Sequence, residues 1–381
     1  MPVTLTEDQA DLARAIGEFC RREIGSKERR DELTENGRHP HSAEIYRRMA
    51  ELGWLGIAAP EEYGGAGQGM RELLVFLEET AYGQAPISGF STTVITAAAI
   101  ERFGTETQKQ ELLGGMCRGD VLSISMSEPE AGSDVGGLKC RATRTERGWR
   151  IDGQKTWCSN AHIASHILLV ARTSTEGGKH DGLTMFVVPA DAAGLQIHGI
   201  ETMGGKEVND LYFDGCELPA DAVVGAEGQG WRQLMAGLNL ERMILAGLML
   251  GLARRAFDDT VAYVKERTQF GRPVGSFQAM RHRIADNATE LAATSLLVHD
   301  TARVIDEAEP GALFPREASM AKLKATELAK HLSLEGMQML GGYGYATEYG
   351  MERLLRQSVV STVYGGTSEI QRDIIGKTYG L

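Results

Sequence analysis

The chain has 381 residues, of which 42% are hydrophobic and 24% are charged, a balance typical of a soluble globular protein with two or three domains. Its net charge of −12 argues against general nucleic-acid binding, and no apolar run reaches the roughly 18 residues that suggest a membrane span. The five cysteines are scattered and never form C-x-x-C, which indicates reduced thiols rather than disulfides or a zinc site. The N-terminus shows no basic or apolar leader pattern, so we expect a cytoplasmic protein.

Hydrophobic periodicity changes twice along the chain. From Leu5 to about Met116 apolar residues recur every three or four positions, which predicts helices. From about Val121 to Val224 the pattern predicts short strands, among them HILLVAR, LTMFVV and LYFDGCEL. From about Trp231 onward long periodic runs again predict helices. The sequence therefore predicts a helical, then a β, then a helical segment.

Two early features suggest ligand sites only weakly. EYGGAGQGM lacks the last glycine of G-x-G-x-x-G, because Met70 fills that place, and no strand precedes it, so a connecting loop is the better interpretation. His162 and His166 have the i, i+4 spacing of a helical metal clamp, but they precede a predicted strand and no HExxH glutamate is present. Hydrogen-bonded histidines are the simpler interpretation.

Two motifs in the β segment suggest a flat ligand. SISMSEPEAGSD, from Ser123 to Asp134, ends in small residues whose N–H groups can approach a ligand, although a plain β-turn would look the same. KTWCSN places Trp157 on a predicted strand, where it is either core or covered by something planar. A polar site with an indole suits a planar heteroaromatic molecule.

Three motifs lie in the last helical segment. ERTQFGRPVGSFQ carries Arg267 and Arg272, which suit a pyrophosphate or simply form a solvated helix end. QMLGGYGY breaks a helix with glycines, as a C-cap does. VYGGTSEIQRD has Gly365 and Gly366 before Thr-Ser and Glu, the pattern of a loop that enters a helix cap.

Together, in this order and spacing, SMSEPEAGSD, KTWCSN, ERTQFGRPVGSFQ, QMLGGYGY and GGTSEIQR resemble the acyl-CoA dehydrogenase family over essentially the whole chain. The wording looks most like the isovaleryl-CoA and long-chain members. The resemblance implies an N-terminal α-helical domain (1–118), a middle β-barrel-like domain (119–228) and a C-terminal four-helix domain (229–381). It also implies a homotetramer, a dimer of dimers, with noncovalent FAD partly held by a neighbouring subunit.

By the same resemblance, the residues placed along the cofactor are Met126, Ser127, Trp157, Ser159, Arg267, Phe270, Gln278, Gln338, Gly341, Gly342, Thr367 and Glu369. Arg267, Phe270 and Gln278, together with Gln338, Gly341 and Gly342, would hold the pyrophosphate and adenosine end of a partner's FAD. Ser133, Asn239 and Arg242 would contact the acyl-CoA.

The reaction that the resemblance implies removes a proton from the α-carbon of an acyl thioester while the β-hydrogen leaves as hydride to the flavin. The base therefore needs a desolvated carboxylate with a raised pKa. In most of the family a glutamate follows the tyrosine of the terminal block, but here that position is Gly365. In the isovaleryl and long-chain types the glutamate lies on a helix of the C-terminal domain, and the matching residue is Glu241 in GLNLERM.

Glu241 lies in a largely apolar helix, so it is either this base or half of a structural ion pair with Arg242 or a neighbouring helix. Gly365 would keep one task, the donation of its backbone N–H to the thioester oxygen. Without a side chain it would also leave room for branched or bulky acyl groups.

The leading interpretation is thus an FAD-dependent acyl-CoA dehydrogenase of short or branched chains that passes electrons to an electron-transfer flavoprotein. An enoyl-CoA reductase, an acyl-carrier-protein dehydrogenase or a flavin monooxygenase-type relative would keep the same fold. A non-catalytic flavoprotein, such as relatives that bind DNA, is disfavoured by the acidic balance.

Overall fold

A computed structural model of the protein describes residues 3–309 and 311–381. The described part of the chain contains twelve α-helices and ten β-strands, and their order confirms the predicted succession of helices, strands and helices. The helices are α1 (Glu7–Ile24), α2 (Lys27–Thr34), α3 (Ala43–Glu51), α4 (Met70–Tyr82), α5 (Gly89–Phe103), α6 (Glu106–Arg118), α7 (Gly230–Glu266), α8 (Gln278–Asp306), α9 (Pro315–Leu340), α10 (Gly342–Tyr345), α11 (Met351–Val359) and α12 (Ser368–Lys377). The strands are β1 (Leu122–Ser125), β2 (Arg141–Thr145), β3 (Gly148–Ser159), β4 (His166–Arg172), β5 (Leu183–Pro189), β6 (Leu195–Gly199), β7 (Val208–Pro219), β8 (Val223–Val224), β9 (Thr268–Gln269) and β10 (Arg272–Pro273).

The chain divides into two compact units. The helical unit consists of the residues up to Asp31, Gly69–Ala85 and the chain from Asn239 to its end. The mixed unit consists of Glu32–Gln68 and Pro86–Leu238. The three predicted domain boundaries are not the same division, and they stay a prediction.

The mixed unit is built on one mixed sheet. Its strand order is β6-β7-β3-β2-β4-β5-β8, and β1 adds a parallel pairing to β4. The predicted strands HILLVAR and LTMFVV are β4 and β5, which pair antiparallel as buried, almost continuous apolar runs. One face packs around Trp149 and Phe186, whose rings meet edge to face at 5.2 Å. The opposite cluster includes residues of α5, α6 and β4, so the sheet has apolar cover on both faces.

The helical unit contains α8, α9, α11, α12 and most of α7, together with α1 and α4. By length and composition α7 could cross a membrane, and within the described residues it alone passes that test, but its most apolar stretch is 56% buried inside the protein. The first turn of α12 is capped by Thr367, whose side chain accepts a hydrogen bond from the N–H of Ile370. Helix α9 ends at Leu340, where Gly341 has a φ of +61°. This glycine confirms the predicted helix end in QMLGGYGY.

The segment ERTQFGRP differs from the predicted helical run because it forms the β9–β10 hairpin. Its two turn residues, Phe270 and Gly271, have φ values of +52° and +77°. Positive φ at both central residues is the geometry of tight hairpin turns, and Pro273 cannot continue a helix.

Four of the five cysteines are buried, and all five are free thiols, as the sequence predicted. Cys140, Cys158 and Cys216 belong to the core of the sheet, whereas Cys20 lies in α1 of the helical unit. Burial raises the pKa of the Cys158 and Cys140 thiols to about 11 and that of Cys20 to about 12.

Candidate active site

The carboxyl group of Glu241 lies on α7 in the helical unit. The residues that follow it, from Met243 to Gly247, are buried, and Glu241 itself is partly buried. Burial raises the pKa of its carboxyl above the ordinary value, while the charges of Arg242 and Lys322 act in the opposite direction. No hydrogen bond or ion pair holds this carboxylate within the described part of the chain, so the structural ion pair that the sequence left open does not form here. Such a carboxylate has the environment of a base.

The double glycine of the terminal block lies directly beside this carboxylate. Gly365 and Gly366 have φ values of +59° and +79°, the left-handed region that glycine adopts without strain. A Cβ placed on Gly365 would lie 3.5 Å from Oε1 of Glu241 and 2.2 Å from Cδ1 of Leu245. The acid on α7 therefore reaches the place that a side chain of the loop would occupy.

This geometry corrects one expectation from the sequence. We expected the missing side chain at Gly365 to leave room for a branched acyl group. Instead, the side chain of Leu245 fills the space next to Gly365, because its Cδ1 is within 2.2 Å of the position of a Cβ. Glycine is needed there for backbone geometry and close packing rather than for an empty volume.

Two buried side chains that were not predicted from the sequence hold the carbonyl groups of the Gly365–Gly366 loop. Nζ of Lys322 on α9 donates hydrogen bonds to the carbonyl oxygens of Ser361, at 2.9 Å, and Gly366, at 2.8 Å. Nε2 of Gln371 on α12 donates to the carbonyl oxygens of Gly365 and Gly366, both at 3.0 Å. Lys322 and Gln371 are both fully buried. The N–H groups of Gly365 and Gly366 have no acceptor in the described part of the chain, so they are free to bind a ligand.

The predicted substrate residues of α7 form a polar pair next to Glu241. Nη1 of Arg242 donates to Oδ1 of Asn239 at 2.8 Å. Arg242 is buried, and its Nε has no partner among the described residues. Burial lowers the pKa of its guanidinium, and Glu241 opposes that shift. A buried guanidinium with an unsatisfied donor is suited to an anionic or carbonyl group of a ligand.

The structure brings the two predicted motifs of the β segment together in the mixed unit. The N–H of Thr156 donates to the carbonyl oxygen of Ser127 at 3.0 Å, and Oγ of Ser123 donates to that of Ser159 at 2.6 Å. The buried Lys155 donates to the carbonyl oxygen of Met126 and to Oε1 of Glu128, both at 2.8 Å. The two motifs are therefore a single structural element.

Trp157 projects from this element into solvent. Its side chain is 59% exposed and its φ is +59°, which is unusual for an aromatic residue. The register of β3 against β7 shifts between Lys155 and Cys158, so a bulge turns the indole outward. An exposed indole on a strained backbone is a surface that a planar ligand can cover. Ser133 lies in an exposed part of the preceding loop.

The other predicted cofactor residues lie in the helical unit, in two groups. Most are exposed and surround the β9–β10 hairpin and the end of α9: Arg267, Phe270, Gln278, Gln338, Gly341 and Gly342. The guanidinium of Arg267 lies 5.3 Å from the ring centre of Tyr343, which joins ERTQFGRP to QMLGGYGY. Phe270 is 92% exposed.

Thr367 and Glu369 form the second group, at the N-terminus of α12. Together with residues of α9 they line a cleft of about 440 Å³. Ser368, also in its lining, has a buried Oγ without a partner among the described residues. A helix N-terminus with an unsatisfied hydroxyl suits a ligand rich in hydroxyl or phosphate groups.

No group of three or more His, Cys, Asp or Glu side chains in residues 3–309 and 311–381 is arranged to hold a metal ion. His166 lies in β4 and His162 in the 3-10 turn before it, so the two histidines do not share the helix face of a metal clamp.

Three domains of one family match the sequence. The acyl-CoA dehydrogenase N-terminal domain matches residues 6–120, the middle domain residues 123–216 and the C-terminal domain residues 228–380. The chain belongs to the acyl-CoA dehydrogenase family. It has the three-domain fold of that family and is an FAD-dependent oxidoreductase that acts on CH–CH bonds of acyl-CoA. The resemblance stated from the five motifs is confirmed.

Individual acyl-CoA dehydrogenase relatives cover nearly the whole chain. The mitochondrial 2-methylacyl-CoA dehydrogenase of Solanum tuberosum is 34% identical over 98% of this chain and 90% of its own length. The mitochondrial isovaleryl-CoA dehydrogenase of Arabidopsis thaliana is 34% identical over 97% of this chain and 91% of its own length. Acryloyl-CoA reductase (NADH) of Anaerotignum propionicum is 33% identical over 99% and 95%.

Solved structures agree with this family. The acyl-CoA dehydrogenase of Geobacillus kaustophilus superposes with a TM-score of 0.93, at 31% identity and full coverage of both chains. A glutaryl-CoA dehydrogenase of Mycobacterium smegmatis in complex with FADH2 has a TM-score of 0.89 at 27% identity, covering 98% of this chain and 95% of its own. Each unit taken by itself has features that fit FAD: the mixed unit offers the exposed indole of Trp157 as a planar surface, and the helical unit offers a cleft at a polar helix terminus, beside the unsatisfied Ser368 hydroxyl.

Proposed function

We infer that Glu241 is the base of the reaction and that the N–H of Gly365 binds the thioester oxygen. One observation carries this proposal: Oε1 of Glu241 lies 3.5 Å from the place where a side chain at position 365 would begin. In most of the family, as the resemblance implies, the base is a glutamate at that place. Two different positions of the chain can therefore deliver a carboxylate to one point in space.

The chemistry follows from the environment of this carboxylate. Because burial raises its pKa, the ionised Glu241 is a stronger base than an exposed glutamate and can take the α-proton of the substrate. The negative charge that develops on the thioester oxygen is stabilised by the free N–H of Gly365. FAD, when bound, supplies the two-electron acceptor for the hydrogen that leaves the β-carbon as hydride. The buried Arg242 and its partly buried partner Asn239 orient the acyl-CoA beside the base.

FAD is held, in this proposal, by the residues that the resemblance indicated. Met126, Ser127, Trp157 and Ser159 would hold the isoalloxazine, and Thr367 and Glu369 would hold another part of the cofactor. The exposed hairpin and α9 end, from Arg267 to Gln278 and from Gln338 to Gly342, bind the pyrophosphate and adenosine end of the FAD of a partner. Phe270 lies edge to face with Phe277, with ring centres 6.0 Å apart, and the two rings offer an apolar surface that a partner can cover.

The proposed assembly is a homotetramer, a dimer of dimers, as the family resemblance implies, and the proposed acceptor of the electrons is an electron-transfer flavoprotein. Light scattering on the peak that elutes from a size-exclusion column measures the mass of the assembly. A mass of one or two chains would contradict the homotetramer. The cytoplasmic location stays a prediction.

The proposed substrate is a short or branched acyl-CoA. Its support comes from the similar 2-methylacyl-CoA and isovaleryl-CoA dehydrogenases. Turnover of isovaleryl-, isobutyryl-, butyryl- and octanoyl-CoA is compared at equal concentration of enzyme. A clear preference for octanoyl-CoA would contradict the proposal, whereas a preference for butyryl-CoA over both branched substrates would narrow it to short straight chains.

The base assignment is tested by anaerobic reduction. Saturated acyl-CoA bleaches the flavin band of the wild-type holoenzyme within seconds to minutes, and Glu241→Gln abolishes the bleaching. Glu266→Gln, at the exposed end of α7, is the matched control and should bleach as the wild type does. Unchanged bleaching in Glu241→Gln would exclude Glu241 as the base.

A second function on the same site is enoyl-CoA reduction, which the similarity to acryloyl-CoA reductase favours. The reverse reaction uses the protonated Glu241 as an acid toward the α-carbon. Rapid oxidation of NADH with acryloyl-CoA, and no flavin reduction by saturated acyl-CoA, would establish this direction instead.

A further inference from the structure

Lys322 is an unusual residue for the centre of a helical unit. Its side chain is fully buried on α9, and no carboxylate forms an ion pair with it in the described part of the chain. A buried ammonium without a carboxylate partner costs several kcal/mol unless other groups satisfy it. Its partners are two carbonyl oxygens, those of Ser361 and Gly366.

These two carbonyls are the two ends of the loop that carries Gly365. Ser361 lies in the 3-10 turn Val360–Thr362 that follows α11, and Gly366 is followed by Thr367, the N-cap of α12. Lys322 thus joins both ends of the loop to α9 through one charged group. Gln371 adds hydrogen bonds to the carbonyl oxygens of Gly365 and Gly366 from the first turns of α12.

The direction of these bonds determines the direction of the free N–H groups. In a trans peptide the C=O and the N–H point to opposite sides. Because the carbonyl of Gly365 faces Gln371, the N–H of Gly366 points away from Gln371. The peptide between Gly365 and Gly366 therefore keeps its carbonyl on the side of α12, and its N–H, on the other side, has no acceptor in the described part of the chain.

Glycine pairs need such support. Two glycines have the largest backbone freedom of any dipeptide, and ordering each residue costs roughly 1–2 kcal/mol. No side chain of their own can pack the loop in place. A displacement of about 1 Å in a reacting group can cost on the order of 100-fold in rate.

We propose that Lys322 is a positioning residue for the reaction, which, with Gln371, fixes the Gly365–Gly366 loop as the binding site of the thioester oxygen and places a positive charge beneath it. This inference rests on the function proposed above for Glu241 and Gly365.

The charge of Lys322 also acts on the base. Four charged groups face this ammonium: Glu241 and Arg242 on α7, Glu327 on its own helix and Glu369 on α12. Burial lowers the pKa of Lys322 to about 8, while Glu241 holds it up and Arg242 lowers it further. In return, Lys322 lowers the pKa of the Glu241 carboxyl. Removal of the ammonium therefore raises the pKa of Glu241. On acidification the carboxylate then becomes protonated, and inactive as a base, at a higher pH than in the wild type.

The test compares the wild-type holoenzyme with the variant Lys322→Met, which keeps most of the length of the side chain and removes its donors and charge. The rate constant of flavin reduction at saturating isovaleryl-CoA should fall about tenfold or more, since a donor to the developing charge is displaced rather than deleted. The isovaleryl-CoA concentration that gives half the maximal reduction rate should stay within about twofold of wild type, because an interaction that strengthens only in the transition state changes the rate constant and not ground-state binding. The acid limb of the pH profile should move to higher pH.

Lys324→Met is the matched control. Lys324 lies two residues away on the same helix, is 47% exposed and pairs with Glu290, so its loss should change neither the rate constant nor the pH profile. Amide hydrogen exchange of the peptide that spans residues 361–366 gives a readout independent of turnover. Exchange should be faster in Lys322→Met than in the wild type and unchanged in Lys324→Met.

A wild-type rate constant and pH profile in Lys322→Met would overturn the proposal, whatever the melting temperature of the variant. If that variant fails to fold, Gln371→Leu decides, since it removes the other donors to the same carbonyls. It should lower the rate constant without moving the acid limb, and a wild-type rate constant would overturn the proposal. Glu241→Gln is measured alongside. If Glu241→Gln is active, Glu241 is not the base and the proposed function fails. If Glu241→Gln is inactive while Lys322→Met behaves as the wild type, only the role of Lys322 is refuted.

Discussion

Substitution of Gly365 by alanine should destabilise the protein by two separable mechanisms. The first is backbone strain: a φ of +59° costs an alanine about 1–2 kcal/mol. The second is steric, because the new Cβ would lie 2.2 Å from Cδ1 of Leu245. Carbon atoms prefer a separation of about 3.5–4.0 Å, so Leu245 or the loop must move by more than about 1 Å. Overpacking of this kind costs about 1–3 kcal/mol, which gives a total of about 2–5 kcal/mol.

Gly350 provides a control that separates the two mechanisms. Its φ is +73°, and no atom lies within 4 Å of the place where a Cβ would be built. Gly350→Ala should therefore show the backbone strain alone, about 1–2 kcal/mol. Urea unfolding, followed by circular dichroism on each variant, should place Gly365→Ala about 1–3 kcal/mol below Gly350→Ala.

A double-mutant cycle with Leu245→Ala measures the steric part directly. Leu245→Ala alone opens a cavity and costs about 2–5 kcal/mol. In the double variant the methyl group of the alanine at position 365 occupies part of that cavity. The free energy of unfolding that the double variant loses should therefore be about 1–3 kcal/mol smaller than the sum of the losses in the two single variants. Additive losses, or equal losses in Gly365→Ala and Gly350→Ala, would refute the reasoning that Leu245 fills the place of the missing side chain.

Three further predictions concern other parts of the two units. Glu241→Gln should be more stable than the wild type at neutral and alkaline pH: burial raises the pKa of this carboxyl, so the wild type loses stability as pH rises through that pKa. The gain should vanish on acidification toward the ordinary glutamate range, and a gain that grew in acid would contradict the sign. Glu128→Ala should lower the urea-derived free energy of unfolding by about 3–5 kcal/mol, because Lys155 would keep a buried, unpaired charge; a loss under 1 kcal/mol would contradict this. Trp157→Ala should weaken FAD binding to the apoprotein about two- to tenfold with no loss of apoprotein stability, measured by flavin fluorescence titration, and unchanged affinity would argue against stacking.

The order of elements could be predicted because it depends on local patterns. The strands HILLVAR and LTMFVV are short apolar runs between turn residues, and the double glycine before Thr367 announces a capped helix. The hairpin in ERTQFGRP was the exception. Its turn is formed by Phe270 with a positive φ, and a phenylalanine gives no sequence signal for that conformation.

The candidate site could be predicted only in part, since its residues are distant in sequence. Because Gly365 lacks the carboxylate that most of the family has there, Glu241 is the predicted base. Its Oε1 lies 3.5 Å from the place of a Cβ on residue 365, which supports that prediction. Lys322 could not be found in this way. In AKLKATELAK it looks like any lysine of an amphipathic helix, and Lys324 beside it is exposed. Only the packing of α9 against a loop some 40 residues later decides which lysine is buried.

The rate at which the buried cysteines are labelled can report how often each unit of this protein opens. A thiol reacts with alkylating reagents as the thiolate, and the raised pKa values of Cys158, Cys140 and Cys20 keep that form scarce while burial excludes the reagent. Labelling of Cys140 and Cys158 therefore measures how often the sheet core opens, and labelling of Cys20 measures the same for α1. The two units can thus be timed separately in one unmodified chain, without an engineered label, from the masses of their cysteine peptides.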